Sequence, residues 1–366
     1  MTSRHNLIIC ILLCAIIFPT SLLFAMPAKN TASDTEAFIK TKLINPNGTL
    51  ATYLLPAGAA NSNPDIVAGR DSLSESLGFW MQYAILKNDA ALFEQCYQSL
   101  IHYYLLPGNL VAWQVTAEGQ KNVAANALVD DLRILDTLFQ ANELWPNSKW
   151  QDTAKEISLA VDEHLMRQGQ LVDFYDHRSQ TASGTLTLTY LYPPPIQKAA
   201  ALTYFYPVVA NRSLELLRTL PTDTAFYPKT YDVTTGIFTF TDKVNMLDQM
   251  LIALNRQSLS IGSPELIQFI KTEFYRNGKL MTDYDRVSHA AVSPYESPAL
   301  YAVIILYAAQ QGDPAFALDI YRRMICFRVS DGENRGGYMA GDNTHIFDNL
   351  LPLIAETVLQ QKNFIK

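Results

Sequence analysis

The stretch Asp71–Tyr83 reads DSLSESLGFWMQY, and the fold is read outward from it. Apolar residues recur at helical spacing from Leu77 onward, which predicts a helix over Ser74–Leu86 with Glu75 at its mouth. A carboxyl group flanked by Leu77, Phe79 and Trp80 is partly desolvated. Desolvation raises its pKa and keeps a proton available near neutrality, the property a general acid needs. The same glutamate also suits a plain helix start, where negative charge meets the positive end of the helix dipole.

Beyond Lys87-Asn88-Asp89, a hairpin connector, Ala91–Leu105 repeats the helical pattern. The stretch Ala125–Trp145 (ANALVDDLRILDTLFQANELW) follows. It predicts a helix over Asn126–Asn142 with Leu128, Leu132, Leu135, Leu138 and Phe139 on one face and Asp130 and Asp131 near its start. Thr153–Leu165 forms its partner. Ala199–Val209, Ser213–Leu220, Asp242–Asn255, Pro264–Tyr275, Pro298–Gln310, Pro314–Cys326 and Ile346–Gln361 continue the series. Strand-like material is confined to Gln170–Tyr175, Thr185–Tyr192 and Tyr231–Phe240. Helix–loop–helix units without a sequence repeat favour a closed ring of helix pairs over a solenoid. No Gly/Ser-rich linker or charge block divides residues 29–366, so one domain is expected there.

The first 28 residues are a separate object. Arg4 precedes the apolar run Leu7–Ala25, then Met26-Pro27-Ala28, a pattern of a secretory signal peptide or of an N-terminal membrane anchor. Pro19, Thr20 and Ser21 favour cleavage. Leu13 is bulky where a lipoprotein signal ending at Cys14 wants a small residue. A secreted or extracytoplasmic protein is expected, with membrane association only through this segment. The 366 residues carry a net charge of −7, which attracts neither phosphate backbones nor anionic membranes, so nucleic acid is excluded as a partner. Past the leader only Cys96 and Cys326 remain, read as two buried thiols in apolar helices. No cysteine–histidine spacing calls for a metal, and Asp283, Asp285 and His289 read as a polar loop. No cofactor is expected.

The helix-start Glu in SES-LGFWM, the Asn88-Asp89 connector, the turn Leu110–Val115 (LVAWQV) and the helix running from Asp130-Asp131-Leu132 to Leu144-Trp145 together resemble glycoside hydrolase family 8. That family usually reads SEG-x-GYGM in the first segment and ATDADLxIA in the second. Here the second is Ala127–Leu135 (ALVDDLRIL), with Val129 in place of the first acid. The resemblance implies an all-α (α/α)6 barrel with short β pieces in its loops, and a cleft across the inner helix starts. It implies inverting hydrolysis, in which one carboxylic acid protonates the glycosidic oxygen and a carboxylate activates water on the opposite face. Glu75 carries over as the proton donor. Asp131, or in second place Asp130, would hold the sugar at the cleavage subsite. Asp242 aligns best with the family's base, Asp232 is the second candidate and Asp248 the third.

Flat aromatic rings suit the apolar faces of sugars. Trp113, Trp80 and Tyr190 are the candidate platforms, with Tyr192, Tyr204, Tyr206 and Tyr295 beside them. The expected function is an exported, endo-acting, monomeric glycoside hydrolase cleaving β-linked bonds of a bacterial extracellular polysaccharide. The alternative is a catalytically weak carbohydrate-binding accessory protein on the same scaffold.

Overall fold

A computed structural model describes residues 31–56, 67 and 69–365; the leader read at 1–28 lies outside the described residues. Twelve α-helices are present among the described residues: α1 (Thr31–Lys42), α2 (Ser74–Leu86), α3 (Ala90–Ser99), α4 (Leu128–Leu144), α5 (Ser148–His164), α6 (Pro193–Ala201), α7 (Pro207–Arg218), α8 (Met246–Ser258), α9 (Pro264–Asn277), α10 (Pro298–Gln311), α11 (Pro314–Met324) and α12 (Phe347–Gln361). The even-numbered helices close a ring. Each packs on the next, α2 on α4 through to α10 on α12, and α12 returns to α2. Outside them, α1 lies on α12, α3 on α2, α5 on α4, α7 on α6 and α11 on α10. The α9 helix joins this outer set, the Phe274 ring 6.2 Å from that of Phe316 on α11. The architecture is an (α/α)6 barrel.

Residue pattern sorts the two rings. The inner helix α10 is apolar nearly all round: it reads PALYAVIILYAAQQ and buries eleven residues. Outer helices carry one stripe, as in α5, where Trp150, Thr153, Ala154, Ile157, Ser158 and Val161 are buried and Lys155 and Glu156 are exposed. Several helix starts are capped by the side chain just before them. Asp89, Asn147, Asn245, Ser297 and Asp313 each accept a bond from a first-turn amide.

The expected helices Thr153–Leu165 and Ser213–Leu220 start earlier, at Ser148 and Pro207, and two further departures have a clear local cause. Ala199–Val209 is not one helix: α6 starts at the run Pro193-Pro194-Pro195 and ends at Ala201, and α7 starts at Pro207. A proline forces its predecessor, here Tyr206, out of helical backbone and then suits the first position of a new helix. Asp242–Asn255 begins four residues late. Lys243–Asn245 is a strand, paired antiparallel with Asp283–Asp285, and α8 starts only at Met246. Asp242 is therefore in a loop and not at a helix start. Cys326 is exposed, against the expectation of a buried thiol, while Cys96 is buried; the two are not paired.

The segment before α12 is tied to α1. Arg335 grips Asp34 at 2.9 Å and Lys42 meets Glu333. Gly336 has φ +88°, and a Cβ built there would overlap the backbone carbonyl of Asp34. Gly336→Ala is expected to destabilise the fold by about 2–4 kcal/mol, read as a lower urea midpoint at unchanged slope.

Candidate active site

Glu75 is in the first turn of α2, and the backbone around it is held from two sides. The Ser74 amide donates to the Trp113 carbonyl at 3.1 Å, and Ser72–Leu73 pairs antiparallel with Gln114–Val115. Trp113 is thereby fixed beside the acid. On the other side α4 begins at Leu128, whose amide donates to the Asp173 carbonyl at 2.8 Å. This aims Asp130 back at α2, where its carboxylate accepts from the Ser74 hydroxyl at 2.7 Å.

These groups border a cavity of about 890 Å³ at the mouth of the ring. Its rim carries Glu75, Trp113, Asp130, Arg133, Asp173, Tyr190 and Asp248. One guanidinium spans two carboxyls: Arg133 lies 3.4 Å from Glu75 and 3.2 Å from Asp130, with its planar head 4.0 Å from the centre of the Phe79 ring. Burial lifts the Glu75 pKa from 4.5 to about 7; Arg133 opposes the lift, and the charges of Asp130 and Asp248 add to it. Asp130 is also raised by burial, against the pull of Arg133 and the Ser74 hydroxyl. Near neutrality this corner holds a proton.

Asp248 stands in the first turn of α8, its amide donating to the Asn245 side chain at 3.1 Å. In a six-membered ring α8 is the helix opposite α2, so the two carboxyls come from opposite walls. Burial raises the Asp248 pKa, Lys229 at 3.9 Å draws it down, and Asp283 adds to the rise. Two acids that differ in surroundings, facing one bowl, are what proton donation on one side and water activation on the other require.

The residues singled out by sequence divide sharply. Glu75, Asp130, Trp113 and Tyr190 line the cavity. Asp131 does not: it is fully buried, accepting from the Val111 amide at 3.0 Å and from the Asn126 side chain, and so braces the loop that carries Trp113. A one-residue step along a helix turns the side chain by about 100°, which is why Asp130 takes the cavity and Asp131 the core. Trp80 is core as well, 4% exposed and stacked on Tyr83. Asp242 is 88% exposed at its side chain and pairs with Arg286 at 3.1 Å, outside the cavity lining. Asp232 folds back on its own turn, accepting from the amides of Thr234 and Thr235. Of the outlying tyrosines, Tyr192 lines the cavity and donates to Asp136 at 2.6 Å, whereas Tyr206 and Tyr295 point to solvent.

Arg133 was not anticipated. The signal for it was its position three residues after Asp130, where two helical side chains share a face. Arg133→Met is expected to move the alkaline limb of any activity profile upward. Loss of the cation makes Glu75 hold its proton more tightly, so the acid form persists to higher pH. A merely structural loss would lower the rate without moving the limb.

No family model matches the chain. It is 35% identical over 334 residues to the Bacillus subtilis (strain 168) protein named "Putative lipoprotein YdaJ", covering 90% of this chain and 88% of that one. A solved structure described as a novel alpha-amylase from Clostridium perfringens superposes with a TM-score of 0.81 at 24% identity, covering 90% of this chain and 97% of the other. PssZ from Listeria monocytogenes gives 0.72 at 24% identity, over 89% and 95%. Endoglucanase Cel10 from Klebsiella pneumoniae, a family 8 glycosyl hydrolase, gives 0.60 at 14% identity, over 91% and 99%.

Proposed function

Since the chain belongs to the family of the Bacillus subtilis protein YdaJ and has the fold of the family 8 glycoside hydrolases, we propose that it is an exported, inverting glycoside hydrolase acting on an extracellular polysaccharide. The observation that carries this reading is the placement of Glu75, its pKa lifted to about 7 by burial, across one bowl from Asp248 on the opposite wall. Glu75 gives its proton to the glycosidic oxygen. Asp248 takes a proton from the water that attacks the opposite face of the sugar. Asp130, held by Ser74 and Arg133, offers a fixed negative oxygen near the positive charge that develops on the ring. Trp113 and Tyr190 give the sugar its flat walls.

The expected activity profile is a bell. It falls on the acid side as Asp248 is protonated, above the usual aspartate range, and on the alkaline side as Glu75 loses its proton near pH 7. Export rests on the leader read at residues 1–28 and agrees with the word lipoprotein in the relative's name. Cleavage of a β-linked chain is the first reading. An α-linked glucan is the second, favoured by the likeness to the Clostridium perfringens amylase. Release of reducing ends from purified β- and α-linked polysaccharides, with the product anomer followed by NMR, tests both. Binding of oligosaccharide with no reducing ends released would leave only the accessory role.

A further inference from the structure

The cavity continues well below its carboxyl rim. Leu247, Leu251 and Leu254 line it from α8, Phe347, Leu351 and Ile354 from α12, and Val303 and Leu306 from α10. Spacings of three and four residues put each set on one helix face, aimed down the barrel axis. Leu254 and Ile354 each lie seven residues past the first lining residue of their helix, about 10 Å of rise. Leu306 is eight residues past Pro298, about 12 Å.

These walls are enclosed by the inner helices, yet Leu251, Leu254 and Leu306 keep part of their surface open to the cavity. Polar lining residues at this depth are Gln82, Thr189, Tyr192 and Asn255, and their groups are largely engaged already: the Asn255 amide donates to the Thr189 carbonyl at 3.2 Å and the Tyr192 hydroxyl to Asp136 at 2.6 Å. A sugar ring pressed onto such a floor would strip water from its hydroxyls without replacing the bonds. Hydrocarbon would gain from the same transfer. The total volume, 890 Å³, is near the upper end of the roughly 300–1,000 Å³ typical of small-molecule sites.

We propose that this lower chamber binds an apolar chain covalently carried by the sugar that the rim holds, so that the substrate is a lipid-modified or acylated saccharide. The proposal rests on the rim being a sugar site and adds the class of substituent. The chain arrives either as an acyl group on the sugar or as a lipid aglycone; both present the same chemistry to Leu254, Leu306 and Ile354.

Titration calorimetry, below micelle formation, compares methyl β-D-glucopyranoside with its butyl, hexyl and octyl homologues, and separately with 6-O-octanoyl-D-glucose. The expected result is a stepwise gain with chain length, up to about fourfold per buried methylene, reaching at least about tenfold for octyl over methyl. A gain for the alkyl glycosides alone assigns the chamber to an aglycone, and a gain for the ester alone to an acyl substituent. A flat series in both arms overturns the proposal. Leu254→Asn with Leu306→Asn should reduce the octyl advantage below about threefold. The wild-type homologue series decides the matter if that variant fails to fold. Glu75→Gln should keep the chain-length gain, because binding needs no proton transfer. Full hydrolysis by that variant would remove the acid assignment and leave the chamber standing, while a flat series with hydrolysis intact would remove the chamber alone.

Discussion

Glu75→Gln is expected to lower kcat by about 10³-fold, within the 10²–10⁴ range that a positioned general acid supplies, with KM little changed. Glutamine keeps the shape of the side chain and its place beside Arg133 but has no proton to give. The test is a Michaelis series on a polysaccharide that the wild type cleaves. Retention of more than a tenth of wild-type kcat would remove Glu75 from the mechanism. Stability carries an independent signature. A carboxyl with its pKa raised from 4.5 to about 7 favours the folded chain fully below its unfolded pKa, and that contribution is lost as pH rises through 7. Glutamine has nothing to lose in that window. The variant should therefore melt above the wild type at pH 8, and the difference should shrink toward pH 5.

Asp248→Asn should cost a comparable factor, again about 10²–10⁴ in kcat, because the attacking water then has no carboxylate to take its proton. Asp242→Asn and Asp232→Asn should stay within about twofold of wild type and within about 0.5 kcal/mol of its stability, as surface changes do. The four variants form one experiment. If Asp242→Asn were inactive and Asp248→Asn active, the base assigned by cavity geometry would give way to the one assigned by motif alignment. The wild type should release product with inverted anomeric configuration. A retained configuration would mean attack by an enzyme carboxylate on the sugar and a closer pair of acids than opposite walls allow.

Much of the scaffold was legible from residue pattern. Ser74–Leu86 emerges as a helix with the bounds its apolar spacing gives, and the helix series is that of the family resemblance. The candidate acid was legible as a carboxyl at the start of an apolar helix, while the walls that complete its desolvation come from other elements, α12 among them. The base was not. Its place depends on whether Lys243–Asn245 runs as helix or strand, and its partner strand, Asp283–Asp285, is about forty residues away. The choice between Asp130 and Asp131 was lost for a different reason. Both sit in the first turn of α4, and only the contacts of α2 and the Val111 loop decide which of two adjacent aspartates turns inward. Trp80 looked like a platform because aromatic residues of a core helix and of a cleft have the same sequence signature.

The packing of α12 back onto α2 governs when the bowl closes. Glu75 leaves the ribosome more than 270 residues before Phe347, Leu351 and Ile354, which complete the wall beside it. A nascent chain that lacks α12 carries both carboxyls without the wall of Phe347, Leu351 and Ile354, so the water exclusion that tunes Glu75 has not yet been established. Any proton transfer at Glu75 would therefore have to wait for α12 to dock.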